Sequence, residues 1–141
     1  MINNKAIDTN ILIYICDKSN RGKRPISESL LADGPLVSSQ VVSEFLNTTK
    51  RLLKLSKEAT LEKCLKALSP CKIIPVEKKH LNLALLLIRK YDFQLFDSII
   101  VASALESGCS TLYSEDMQHK QVIKNPEKNG AGKLTIINPF L

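Results

Sequence analysis

Asp97-Ser98-Ile99-Ile100-Val101-Ala102-Ser103-Ala104-Leu105-Glu106-Ser107-Gly108-Cys109-Ser110-Thr111-Leu112-Tyr113 is the stretch that decides the fold. From Ser98 to Ser107 the apolar residues fall on nearly every side of a 3.6-residue spiral, the pattern of a helix buried all round, and Asp97 is read as the residue that opens it. Gly108 stands where a left-handed residue ends a helix. Thr111-Leu112-Tyr113 then reads as a short strand, and a buried helix feeding a short strand is what a helix-covered sheet produces.

Working outward, the same alternation repeats in both directions. Upstream lie a helical pattern over residues 78–91, a strand over 71–76, and a helix from Ser56 to about Leu68 that ends before Pro70, with Leu61, Cys64, Leu65 and Leu68 predicted to face inward. Before these, the turn Asp33-Gly34-Pro35 introduces the strand Leu36-Val37-Ser38. A helix capped at Ser38 or Ser39 follows, with Val41, Val42, Phe45, Leu46, Leu52 and Leu53 on one stripe and Glu44 off it. Further upstream come a short helix near 27–31, a polar and basic loop over 17–24, and a helix from about Asn10 carrying Ile11, Leu12, Ile13 and Ile15. The run Lys5-Ala6-Ile7-Asp8 is the first strand. Downstream, residues 115–133 read as a polar loop with Gly and Pro, and residues 134–137 as the last strand. The expectation is one α/β domain over residues 1–141, with a mainly parallel sheet of four to five strands covered by helices.

Composition narrows the class. The chain has 141 residues, is 44% hydrophobic, and carries 20 Lys plus Arg against 14 Asp plus Glu, for a net charge of +6. That length suits one core, and no apolar run reaches the ~20 residues of a bilayer span. The opening residues have no apolar leader segment, so a cytoplasmic protein is expected. Cys16, Cys64, Cys71 and Cys109 are scattered without a C-x-x-C pair, which argues for free thiols rather than zinc or a disulfide framework. A basic body suits a polyanionic substrate.

In an open parallel sheet, ligands gather outside the carboxyl ends of the strands. Asp8 ends the first strand, Glu44 lies about a turn into the helix after the second, Asp97 opens the buried helix, and Asp116 follows the fourth strand closely. Each has an ordinary alternative: Asp8 and Asp97 as helix caps, Asp116 as a turn stabiliser, Glu44 as a solvated side chain. What capping does not require is that all four project toward one edge. Converging carboxylates repel, and hard oxygen ligands favour Mg2+ or Mn2+.

The runs Ala6-Ile7-Asp8-Thr9-Asn10, Val42-Ser43-Glu44-Phe45, residues 96–105 and Leu112-Tyr113-Ser114-Glu115-Asp116-Met117-Gln118 together resemble the PIN-domain ribonucleases. Within that group they look like the VapC-type toxins of bacterial toxin–antitoxin pairs, as does the ending Ile136-Ile137-Asn138-Pro139-Phe140. The resemblance implies a three-layer fold and a metal-dependent endoribonuclease in which Asp8, Glu44, Asp97 and Asp116 hold Mg2+ or Mn2+, supported by Thr9, Asn10 and Ser114. It further implies an RNA substrate cut to leave a 5′-phosphate and a free 3′-hydroxyl. It also implies a small antitoxin that places a basic side chain among the acids, and a homodimer, for which helices between Ser39 and Leu68 are the candidate surface.

After Gln118 the chain departs from the short turn common in such proteins and runs through His119 and Lys120 into a longer basic loop as far as Gly132. His119 and Lys120 are candidates for substrate contact, as are Lys18, Arg21, Lys23 and Arg24. A second basic run, Lys50, Arg51, Lys54 and Lys57, would hold RNA backbone if it borders the acidic edge. Tyr14, Tyr91, Phe93 and Phe96 are the aromatics available for base stacking or for the core. Rival readings are a phosphatase or receiver domain, a catalytically silent RNA-binding module, and an RNA-processing nuclease outside any toxin pair. A phosphatase with a nucleophilic Asp8 would want an aspartate where Asn10 stands. A receiver would want an acid pair on the first strand and an aspartate where Pro75-Val76-Glu77 stands.

Overall fold

The computed structural model describes residues 4–128 and 132–141; the readings made above for the first three residues and for the loop over 129–131 lie outside the described residues. Strands β1 (Lys5–Ile7), β2 (Leu36–Ser38), β3 (Lys72–Ile74), β4 (Thr111–Tyr113), β5 (Val122–Lys124) and β6 (Lys133–Ile137) form one sheet in the order β3-β2-β1-β4-β6-β5. All neighbours pair in parallel except β5, which runs antiparallel to β6. Among the described residues six helices flank the sheet: α1 (Thr9–Cys16), α2 (Arg24–Ala32), α3 (Ser39–Leu53), α4 (Lys57–Leu68), α5 (Lys78–Tyr91) and α6 (Leu95–Glu106). The predicted α/β class and mainly parallel sheet are what the structure has.

The core follows from the apolar patterns. Ile7, Ile11, Leu12, Val37, Val41, Phe45, Leu112, Ile123, Leu134 and Ile136 are essentially sealed from solvent. Burying such a side chain fully is worth about 1.5–3 kcal/mol each. Helix α6 is buried continuously from Ser98 to Leu105, as its all-round apolar pattern predicts, and packs against α5 and against β2, β4 and β6. Glycine is required at Gly34, where φ is +66° and a Cβ would stand 3.1 Å from the Pro70 carbonyl oxygen. All four cysteines are free, and three of them are buried.

Four expectations need correction. The loop after β4 contains β5 and a 3-10 turn (Pro126–Lys128). Helix α6 starts at Leu95 with Gln94 as its cap residue, so Asp97 sits inside the first turn rather than opening the helix. Helix α2 begins at Arg24, because Pro25 fits the first turn where its missing N–H is harmless. Leu52 on α3 and Leu61 and Leu65 on α4 are exposed, the last at 65%, whereas Cys64 and Leu68 face the core as expected, joined there by Ala67. Among the described residues no helix is long and apolar enough to cross a membrane.

Candidate active site

The chain leaves β1 toward β2 and β3, then returns past β1 to place β4 on its other side. Such a switch in direction opens a crevice at the carboxyl ends of the two central strands. Asp8 lies at the end of β1, its N–H bonded to the Tyr113 carbonyl of β4 at 2.9 Å. It is also the cap residue of α1, and its Oδ1 accepts the Thr9 N–H at 2.7 Å. The capping role foreseen for Asp8 is therefore real, and it coexists with a second bond: the buried Ser114 hydroxyl donates to Asp8 Oδ2 at 2.8 Å.

The other acids reach the same crevice from three more elements. On α3, Glu44 Oε2 accepts the Thr9 hydroxyl at 2.7 Å and Oε1 accepts the Gln40 amide at 3.1 Å. From the loop after β4, Asp116 Oδ2 accepts the Asn10 amide at 2.9 Å. Asp97 comes from the first turn of α6. Asp8, Glu44, Asp97 and Asp116 line one open cleft of about 330 Å3, together with Thr9, Asn10, Ile13, Thr48 and Arg51. The structure thus brings the four acids, far apart in the chain, to one cleft.

Electrostatics carries the mark of that convergence. Burial pushes the Asp8 carboxyl up to about 6, opposed by its bonds from Thr9 and Ser114 and reinforced by the negative charges of Asp97 and Glu44. Asp97 is also raised, first by burial and then by Glu44 and Asp116. Among the described residues no group of three or more His, Cys, Asp or Glu side chains is gathered closely enough to hold an ion as it stands. The four carboxylates nevertheless form an all-oxygen donor set around one cleft, the chemistry that suits Mg2+ or Mn2+. Each carboxylate oxygen has two lone pairs, so the bonds from Thr9, Asn10, Gln40 and Ser114 orient the acids and leave acceptor capacity open.

The basic residues divide differently from expectation. Lys23 is tied to Glu115 and Tyr14, Arg24 pairs with Glu28 at 3.2 Å, and neither lines the cleft. Lys18 and Arg21 are exposed beyond α1 and do not line the cleft. His119 Nδ1 accepts the Asn138 N–H at 2.9 Å, which makes it a fastener of the C-terminal segment, and Lys120 is an exposed turn residue at φ +69°. Neither lines the cleft. Of the second basic run, Arg51 does. Glu44, Thr48 and Arg51 stand four and three residues apart, one face of α3, and that spacing was the signal for Thr48 and Arg51. Among the aromatics, Tyr14 packs edge-on against Phe140 and Tyr91 against Phe93, whereas Phe96, next to Asp97, is exposed.

The chain belongs to the PIN domain family, whose profile matches residues 5–125. Its fold is similar to that of VapC20 from Mycobacterium tuberculosis, a toxin that cleaves the sarcin–ricin loop, at 16% identity and a TM-score of 0.65, covering 79% of this chain and 89% of that one. It is also similar to a chain of VapBC2 from Rickettsia felis bound to promoter DNA, at 22% identity and a TM-score of 0.61, over 79% and 87%. A toxin–antitoxin complex from Klebsiella pneumoniae matches at 22% identity and a TM-score of 0.64, over 96% and 97%. No curated protein matches the chain.

Proposed function

We propose that this protein is a divalent-cation-dependent endoribonuclease, the toxin of a VapBC-type pair. The observation that carries the reading is the meeting of Asp8, Glu44, Asp97 and Asp116 in one cleft at the switch point of a PIN fold, from positions spread over most of the chain. Asp8, Asp97, Glu44 and Asp116 would hold Mg2+ or Mn2+. Such an ion supplies positive charge against that building on the phosphate oxygens and makes a water more acidic.

The chain's own side chains supply placement. Ser114 and Thr9 fix the Asp8 and Glu44 carboxylates, Asn10 fixes Asp116, and Arg51 at the far end of the α3 face meets the RNA backbone. Phe96, exposed beside Asp97, is placed to stack on a base. The similarity in fold to two toxin–antitoxin assemblies supports a small antitoxin partner that offers a basic group to the acids. Exposed Leu52, Leu61 and Leu65 on α3 and α4 support pairing of two copies over that surface.

The test is cleavage of single-stranded and hairpin RNA by the purified chain with Mg2+ or Mn2+. Cleavage that EDTA abolishes and Asp97→Asn removes supports the reading. Cleavage indifferent to chelation, or none with either ion, overturns it.

A further inference from the structure

Glu115 stands next to Asp116 but outside the cleft's lining, and its carboxylate takes three side-chain donors. Oε1 accepts the Tyr14 hydroxyl at 2.5 Å and the Asn10 amide at 3.5 Å, while Oε2 takes the Lys23 ammonium. The same Asn10 nitrogen reaches Asp116 Oδ2 at 2.9 Å, so one amide bridges the two acids. Lys23 is itself confined: its ammonium donates to the Tyr14 hydroxyl at 3.2 Å and lies 4.9 Å and 5.4 Å from the ring centres of Tyr14 and Phe140. The Glu115 carbonyl accepts the Asn138 side-chain amide at 3.3 Å. Residue 115 is thus tied to α1, to the start of α2 and to the C-terminal segment, whereas Asp116 is exposed.

A lone exposed ion pair is worth little. Here the side chain of Glu115 is only 19% exposed, its partner sits against two rings, and the bonds form a connected network. The network also answers an electrostatic problem. A fifth negative charge beside Asp116 adds to the repulsion among the four cleft acids unless a cation offsets it, and Lys23 does so.

We infer that Glu115 is a positioning residue: clamped by Lys23 and Tyr14, it holds the loop after β4 and the Asn10 amide so that Asp116 is aimed into the cleft. This rests on the cation-binding reading of the cleft. Its consequence is that the affinity for the divalent cation depends on residues that do not touch the cation.

The experiment is a Mn2+ titration of the melting temperature of the full chain, for the parent protein and for Asp8→Asn, Glu115→Gln, Lys23→Met, Tyr14→Phe and Lys23→Arg. Loss of an orienting partner typically weakens a metal site about 10- to 100-fold, so the Mn2+ midpoint should rise at least about tenfold in Glu115→Gln and Lys23→Met. Lys23→Met is the decisive variant. Removing a positive charge near the cleft tightens cation binding if only bulk electrostatics operate, and weakens it if the clamp positions Asp116. Tyr14→Phe, which alters no charge, should also raise the midpoint, and Lys23→Arg should stay within about threefold of the parent. A lower melting temperature with an unmoved midpoint marks a purely structural role and overturns the inference, as does a tighter midpoint in Lys23→Met. A parent protein with no Mn2+ response, or one that Asp8→Asn shares in full, overturns the cation reading itself and the inference with it.

Discussion

Ser114 and Asp8, 106 positions apart in the chain, are joined by a buried 2.8 Å bond from hydroxyl to carboxylate. The bond couples the end of β4 to the end of β1 and fixes one face of the most enclosed acid in the cleft. Ser114 accepts the Met117 N–H at 3.3 Å as well, so the same hydroxyl shapes the turn that carries Asp116. Replacing it with alanine strips a donor from a buried carboxylate, a loss of about 1–3 kcal/mol. Ser114→Ala should therefore lower stability in urea by that amount and move the acid limb of the cleavage–pH profile upward.

The charge on Asp8 opposes folding. Its carboxyl is held at about 6 in the folded protein against 3.8 as the ordinary value, so the folded state keeps a proton that the unfolded chain releases earlier. Without divalent cation, the Asp8 contribution to stability should be greatest below about pH 4, fall as pH rises from there through 6, and level off above it, a difference of about 3 kcal/mol. Urea denaturation of Asp8→Asn in EDTA should show a flatter pH profile and greater stability than the parent at pH 7.5. On the proposed cation-dependent reading, RNA cleavage by the same variant should drop by at least about 100-fold. A variant that is both less stable at pH 7.5 and fully active contradicts the account.

Arg51 lines the cleft together with Thr48 on the same face of α3, and on the proposed reading it meets the RNA backbone. Arg51→Ala should weaken RNA binding uniformly across sequences and reduce the slope of log affinity against log salt by about one. Binding measured by fluorescence anisotropy at several salt concentrations checks this.

On α4, Leu61 and Leu65 stand one turn apart at 53% and 65% exposure. If this face joins two copies, Leu61→Lys with Leu65→Lys should convert a dimer to a monomer in sedimentation while changing the unfolding free energy of the monomer by no more than about 0.5 kcal/mol, as for surface changes generally.

Asp8, Asp97 and Asp116 could be singled out because each sits near a place the local pattern marks: the end of β1, the first turn of α6 and the loop just after β4. Only Glu44 needed the neighbouring stripe, defined by Val41 and Phe45, to show that it points elsewhere. Strand β5 was not legible, because Val122-Ile123-Lys124 offers one buried residue between two exposed ones inside a basic stretch, and an edge strand is specified by its partner rather than by itself. Leu61 and Leu65 misled for a related reason. Periodicity shows that α4 has an apolar stripe but not which neighbours cover all of it. Glu115 had no local signal, since the donors that define it come from Lys23 and Tyr14, 92 and 101 positions away.

The placement of β4 between β1 and β6 carries a consequence for how the protein is made. Synthesis delivers β1, α1 and α3 early, bearing Asp8 and Glu44, yet Ser114 and Asp116 emerge only after the fourth strand, and that strand has its second neighbour only once β6 follows. A nascent chain therefore carries Asp8 and Glu44 well before Asp97 and Asp116 complete the cleft. On the proposed nuclease reading, cleavage must wait until β4, Ser114 and Asp116 have joined the earlier half of the cleft.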